Sequence, residues 1–251
     1  TVTGTYTTTR WSLNGLPAPV PPGSTAFSTT FSQDTNALIE IGPSGLDYIK
    51  KYLVQVNDSA GNAKAGVQIS PSIDLVRYFK GEWVLGDDDK WVQVGPVTRD
   101  ANGEITDTDP VVGCDNEDLN RNGVLEVYAG GPAEDANDTG ALEPRKADVN
   151  ISFVGSSTTN SDGQVILKIT YGQSLASWLE FNILVAASGV SGTEGRTSFQ
   201  GVLPVLAAAV SSKDVPPAFR LAPYGTNVGD NVPIEYPAGS GKFVSLCTNP
   251  N

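Results

Sequence analysis

Alternation of apolar and polar residues is the dominant signal along this chain. From residue 47 onward Tyr52, Val54 and Val56 alternate with Leu53, Gln55 and Asn57. NDSAGNAKAG then supplies a turn, and Val67 and Ile69 resume the period of two. Further on, Val149, Ile151 and Phe153 alternate with Asn150 and Ser152. NSDG makes a turn before QVILKITYG, in which Val165, Leu167, Ile169 and Tyr171 share one face. Leu179, Phe181, Ile183, Val185 and Ala187 form another strand face, with Glu180 and Asn182 turned outward. GVSGTEG reads as a turn and SFQGVLPV as a strand. EWVL and KWVQV read as a hairpin around Asp87, Asp88 and Asp89, an exposed acidic turn. Short segments with a shared period of two predict an all-β chain, an antiparallel β-sandwich rather than a βαβ fold. Residues 1–13 are a Thr-rich strand candidate, cut off by LPAPVPPG, which neither a helix nor a central strand accommodates. A detached strand satisfies its backbone by joining an open sheet edge, either in its own sandwich or on a neighbouring subunit.

Composition sharpens this picture at three points. The 27 glycines and 17 prolines suit short strands joined by turns. No run of 18 apolar residues exists, so no helix is expected to span a membrane. The opening TVTGTYTTTR lacks the charged start and apolar run of a signal peptide, so export implies a processed or partial chain. Charge is concentrated: residues 85–148 hold 16 acidic and 5 basic residues, a net of −11 within a total of −12. A uniform acidic surface would indicate only solubility, whereas a concentrated block points to a cation site. No basic stripe is present to neutralise phosphates, which argues against nucleic acid.

The chain has no histidine, which excludes a Ser-His-Asp arrangement and makes a zinc site a poor fit. Any set of 28 carboxylates contains some pair with a glycosidase-like spacing, so no catalytic residue is assigned. The two cysteines, Cys114 and Cys247, read as one disulfide, with two free buried thiols as the alternative. Trp11, Trp83, Trp91 and Trp178 could offer a carbohydrate-stacking platform, but tryptophan within strands more often packs a core.

The acidic block contains an internal repeat. EDLNRNGVLE (117–126) matches EDANDTGALE (134–143) at six of ten positions with an offset of 17. Calcium takes six to eight oxygens, and alternate residues of a tightly turned loop can point theirs inward. In the first loop those residues are Asp118, Asn120, Asn122, the Val124 carbonyl and Glu126. In the second they are Asp135, Asn137, Thr139, the Ala141 carbonyl and Glu143. Gly123 and Gly140 occupy the sharp-turn positions. The pattern resembles the calcium loops of EF-hands, dockerins and thrombospondin type-3 repeats. It departs from the EF-hand at the twelfth position, where Ala129 and Lys146 stand in place of a bidentate carboxylate. Further oxygens would have to come from Asp115, Glu117, Glu134, Asp138 or water. A solvated acidic loop without metal is the competing expectation.

VNDSAGNAKAGVQIS, followed later by TTNSDGQVILKITYGQS and ILVAASGVSGTEG, resembles the bacterial Ig-like domain of invasin- and intimin-type surface proteins. The chain is also similar to large betaproteobacterial Ig-like surface proteins whose insertions carry a Cys-x-Asn-Glu-Asp-x-Asn block. The resemblance implies an immunoglobulin-like antiparallel β-sandwich with a long acidic loop insertion, and an extracellular or cell-surface location. The expected organisation is an N-terminal strand and Pro-rich linker over 1–45 and an Ig-like domain over 46–204. The insertion interrupts that domain at about 85–148, and a tail over 205–251 packs on it. The expected role is a structural or filament building block stiffened by calcium, self-associating or meeting other surface proteins through strand edges. A carbohydrate- or host-binding adhesin is the alternative, and a polysaccharide-active enzyme a more distant one.

Overall fold

The computed structural model describes residues 28–32, 39–127, 134–188 and 195–251. The strand candidate at 1–13, LPAPVPPG, Trp11, Ala129 and most of the GVSGTEG turn lie outside the described residues. The fold is all-β, with antiparallel sheets in a sandwich-like arrangement. It divides into two compact units, each assembled from separate stretches of chain.

The first unit comprises Thr1–Asp74, Val149–Thr170 and Asn182–Gln200. Its strands are β1 (Ser28–Ser32), β2 (Glu40–Ile41), β3 (Asp47–Asn57), the start of β4 (Gln68–Lys80), β10 (Val149–Phe153), most of β11 (Gln164–Gly172), the end of β12 (Leu179–Ser188) and most of β13 (Gly195–Val202). One sheet has the order β1-β3-β11-β10, with β2 also paired to β3. The other contains β13-β12-β4. The predicted alternation becomes burial: Tyr52, Val54 and Val56 on β3, Val165, Leu167 and Ile169 on β11, and Ile183, Val185 and Ala187 on β12 are all buried. Taking such a side chain out of water is worth about 1.5–3 kcal/mol. The Tyr52 and Phe199 rings, 5.1 Å apart, join the two layers. Gly163 ends the NSDG turn at φ +72°, and a Cβ there would lie 2.5 Å from the Val56 carbonyl, so only glycine fits.

The second unit comprises Leu75–Asp148, Tyr171–Phe181 and Gly201–Asn251. The expected EWVL/KWVQV hairpin forms as β5 (Glu82–Leu85) with β6 (Trp91–Val94). Its turn is exposed, and Asp88 and Asp89 pair with Lys90 and Lys213. A second hairpin joins β7 (Val97–Arg99) to β8 (Ile105–Thr108), and a third, in the C-terminal stretch, joins β14 (Asn231–Glu235) to β15 (Phe243–Cys247). Trp83, Trp178 and Ala222 form a buried cluster, with Phe79, Trp91, Val205 and Val210 packed against it. The described tryptophans therefore belong to the core cluster or its margin. The guanidinium of Arg220 lies 5.2 Å from the Trp91 ring centre.

Strand β9 (Val112–Asp115) pairs with the end of β4 in the register Arg77↔Asp115, Tyr78↔Cys114, Phe79↔Gly113 and Lys80↔Val112. Cys114 and Cys247 form the expected disulfide, with their Cα atoms 5.5 Å apart and both residues fully buried. It fastens β15 to β9 beside the acidic repeat. Next to it, Asp115 accepts the Ser245 N–H at 2.7 Å and pairs with Arg77 at 3.1 Å.

Candidate metal centre

Asn116 carries the chain out of β9 into the first loop. Its backbone N–H donates to the Val76 carbonyl and its side-chain amide to the Leu75 carbonyl at 2.6 Å. Its own Oδ1 accepts the Asp118 N–H at 2.9 Å. The repeat in sequence then appears as a repeat in space. In the first loop, Asp118 Oδ1 accepts from Asn122 N at 3.0 Å and Oδ2 from Gly123 N at 2.8 Å. In the second, Asp135 Oδ1 accepts from Thr139 N and Oδ2 from Gly140 N, both at 2.8 Å. The amide groups of Asn120 and Asn137 donate to Glu126 and Glu143 respectively, each at 2.8 Å. Arg121 and Asp138 take positive φ at matching positions, and so do Gly123 at +76° and Gly140 at +79°. These hydrogen bonds draw the predicted oxygen-bearing residues of each loop around one turn. The turn itself requires left-handed backbone, which glycine supplies without strain.

The two loops exchange glutamates. Glu117, which opens the first repeat, accepts the Glu143 N–H at 3.1 Å, and its own N–H donates to the Glu143 carbonyl at 2.9 Å. Glu134, which opens the second, accepts the N–H groups of Leu119 at 2.9 Å and Glu126 at 3.2 Å, and its N–H donates to the Glu126 carbonyl at 3.1 Å. Of the four supplementary oxygen candidates, Glu117 and Glu134 thus hold the opposite loop, Asp115 holds β15, and Asp138 is exposed.

Beneath the second loop, Tyr78 and Lys80 occupy alternate positions on β4 and are fully buried. The Tyr78 hydroxyl donates to Glu117 at 3.3 Å, and its ring lies 4.9 Å from that of Tyr224, whose hydroxyl donates to Asp148 at 3.1 Å. The Lys80 ammonium donates to the Asn249 carbonyl. Burial pushes the Glu117 carboxyl up to about 8, against the pull of its bond to the Glu143 N–H. Burial also raises Glu143, although Asn137 and Lys80 favour its ionised form. Lys80 is lowered by burial, partly offset by Glu143 and Glu117. Sequence reasoning missed Tyr78, Lys80 and Asn116. The signal for the first two was a polar residue and an aromatic one on a single face of an extended strand, where both must be buried together.

The Glu117 shift carries a sign. Its folded value of about 8 lies above the ordinary 4.5, so the folded state holds the proton more tightly. The stability this contributes is full below about pH 4.5 and is lost as pH rises through about 8. Glu117→Gln keeps an acceptor for the Glu143 N–H and never ionises. In chelator, wild type is expected to lose melting temperature relative to this variant as pH rises from about 5 to 8.5. Parallel thermal-melt profiles for the two proteins would contradict this.

Each loop offers two carboxylates together with amide and carbonyl oxygens, and the second adds the Thr139 hydroxyl. An all-oxygen set of this kind suits a hard cation such as calcium rather than a thiolate- or imidazole-seeking metal. Among the described residues no group of three or more His, Cys, Asp or Glu side chains gathers as a metal cluster. Neutral oxygens would therefore have to supply much of each coordination sphere. Lys146, at the twelfth position of the second loop, is exposed in a 3-10 turn (Lys146–Asp148). No family model, curated protein or solved structure matches this chain.

Proposed function

We propose that the chain is an exported bacterial structural protein of the cell surface or of an extracellular filament. In this reading an Ig-like sandwich is the building block and calcium stiffens its acidic insertion. The observation that carries the reading is the repeat pair itself: two loops that repeat the same aspartate hydrogen bonds, the first leading out of β9 beside a buried disulfide. A disulfide suits an oxidising location outside the cytosol. There calcium is plentiful enough to fill sites of about 10⁻⁴–10⁻³ M. A rigidified insertion on a β-sandwich serves a load-bearing role, and sheet edges allow association through strand pairing.

Electron microscopy of native material in calcium tests the proposal. Fibres or surface arrays support it, and their loss in chelator ties the insertion to assembly. Monodisperse particles that bind a glycan array would instead establish the adhesin alternative.

A further inference from the structure

The outer face of the β1-β3-β11-β10 sheet carries an apolar row edged by lysines. The Val56 N–H donates to the Gly163 carbonyl, so across these antiparallel strands Leu53 stands level with Ile166 and Lys51 with Lys168. The Val154 N–H donates to the Ile166 carbonyl, which sets Val154 on the other side of Ile166. On β3 and β11 these residues alternate with the buried Tyr52, Val54, Val165 and Leu167, and so point away from the core. Leu53 is half-buried, and Ile166 and Val154 are each 40% exposed. Lys51 pairs with Glu40 at 2.6 Å, whereas among the described residues no carboxylate pairs with Lys168. Single exposed apolar side chains are ordinary on a protein surface, but a contiguous row with a polar rim marks a contact surface.

The second unit holds the complement. In the first acidic loop Val124, Leu125 and Val127 are exposed, Val127 at 79%, with Glu126 between the last two. The residues that match them in the second loop are Ala141, the half-buried Leu142 and the buried Pro144. Both loops make the same aspartate hydrogen bonds, yet the apolar side of the repeat is covered in one and bare in the other. Charge separates the units as well: the first holds 7 acidic and 6 basic residues, a net of −1, and the second 21 and 10, a net of −11. A bare apolar loop in a strongly acidic unit suits a bare apolar row edged by lysines.

We propose that the Leu53, Ile166 and Val154 face is a docking surface for a second copy of the chain, which seats the Val124–Val127 stretch of its first acidic loop there. This contact presupposes the filament reading and gives it a subunit interface distinct from strand pairing. Opposite charge on Lys168 and on the acidic unit orients the encounter, and burial of the two apolar surfaces supplies the affinity. The two surfaces are unlike, so the contact is head-to-tail: every copy keeps one face and one loop for further copies. Such a contact propagates into a filament unless its rotation closes a ring.

The test is sedimentation velocity and electron microscopy of the full, disulfide-bonded protein and of two variants, Ile166→Asp and Val127→Asp. Wild type should polymerise. Each variant alone should stay monomeric at concentrations on the order of thirtyfold above those at which wild type assembles. Mixed in equal amounts, the variants should form a one-to-one dimer that grows no further, because the face of Val127→Asp and the loop of Ile166→Asp are the only intact pair. Lys168→Glu should weaken assembly roughly tenfold, an effect that shrinks with added salt. All three positions lie at the surface or its margin, so thermal melts of the variants should match wild type, which separates a lost contact from a lost fold. Wild-type polymers that persist in both single variants would overturn this contact and leave the filament reading standing. If those polymers vanish on deleting residues 1–13, association belongs to the terminal strand instead. A variant mixture that stays monomeric while wild type polymerises would also overturn the contact. Wild type that is monomeric at every concentration would overturn the contact and the filament reading together.

Discussion

Replacing Cys114 and Cys247 by alanine is expected to lower the unfolding free energy by about 5 kcal/mol. The two residues are 133 apart in sequence, and closing a loop of that size removes a corresponding share of the unfolded chain's entropy. A globular domain has about 5–15 kcal/mol in all, so this is among the largest single effects open to the chain. The bond also sits at a mechanical junction. It pins β15 to β9, and β9 runs within two residues of Glu117 into the insertion. Loss of the bond should therefore release Asp115 from Ser245 and loosen the base of the first loop before the sandwich strands melt. Denaturant unfolding measures the first effect, and hydrogen exchange at Asn116 and Asp118 measures the second. A change below about 1 kcal/mol, with both amides still protected, would show that β15 is held by its packing alone.

How much of this was legible beforehand depended on whether the signal was local. Residues 165, 167, 169 and 171, and 179 to 187 by twos, were read as single faces, and every one of them is buried. A period of two on a half-buried sheet leaves no other solution. The EWVL/KWVQV hairpin and the NSDG turn were legible for the same reason. Strand β1 was not, because STTFS has too few apolar residues to alternate; Thr29 is buried through its pairing opposite Val56 on β3. The hairpin of β14 and β15 was hidden in the same way. Its glycine- and proline-rich sequence reads as a tail, and only pairing across the hairpin and the Cys247 link reveal it as a strand pair. In the insertion, the repeat disclosed the residues of each loop, but not the exchange between loops. Glu117 and Glu134 looked like spare ligands because their position just before each loop says nothing about which backbone they meet. Lys80 was invisible as a charge partner, since a lysine at the end of a strand is ordinarily at the surface.

Calcium is expected to raise the melting temperature of the protein by roughly 10–20 °C over chelator. At 10 mM calcium, sites of about 10⁻⁴–10⁻³ M each contribute about 1.4–2.7 kcal/mol, so two give about 3–5 kcal/mol. For a unit of 100–150 residues that corresponds to a shift of this size. The electrostatics point the same way. Asp135, Glu143 and Glu117 crowd one end of the pair, and burial already holds Glu117 and Glu143 toward their neutral forms. A divalent cation would favour the ionised carboxylates and relieve that repulsion. Asp118→Ala and Asp135→Ala each remove the acceptor of two backbone N–H groups as well as a ligand oxygen. Because the loops are clasped together, either substitution should remove more than half of the calcium-dependent rise, and the double variant should remove all of it. Magnesium, which demands a tight octahedron and dehydrates reluctantly, should produce a much smaller shift at the same concentration. If wild type melts identically in calcium and in chelator, the insertion is a hydrogen-bonded acidic loop pair that holds its shape without metal, and the stiffening role assigned to calcium falls with it.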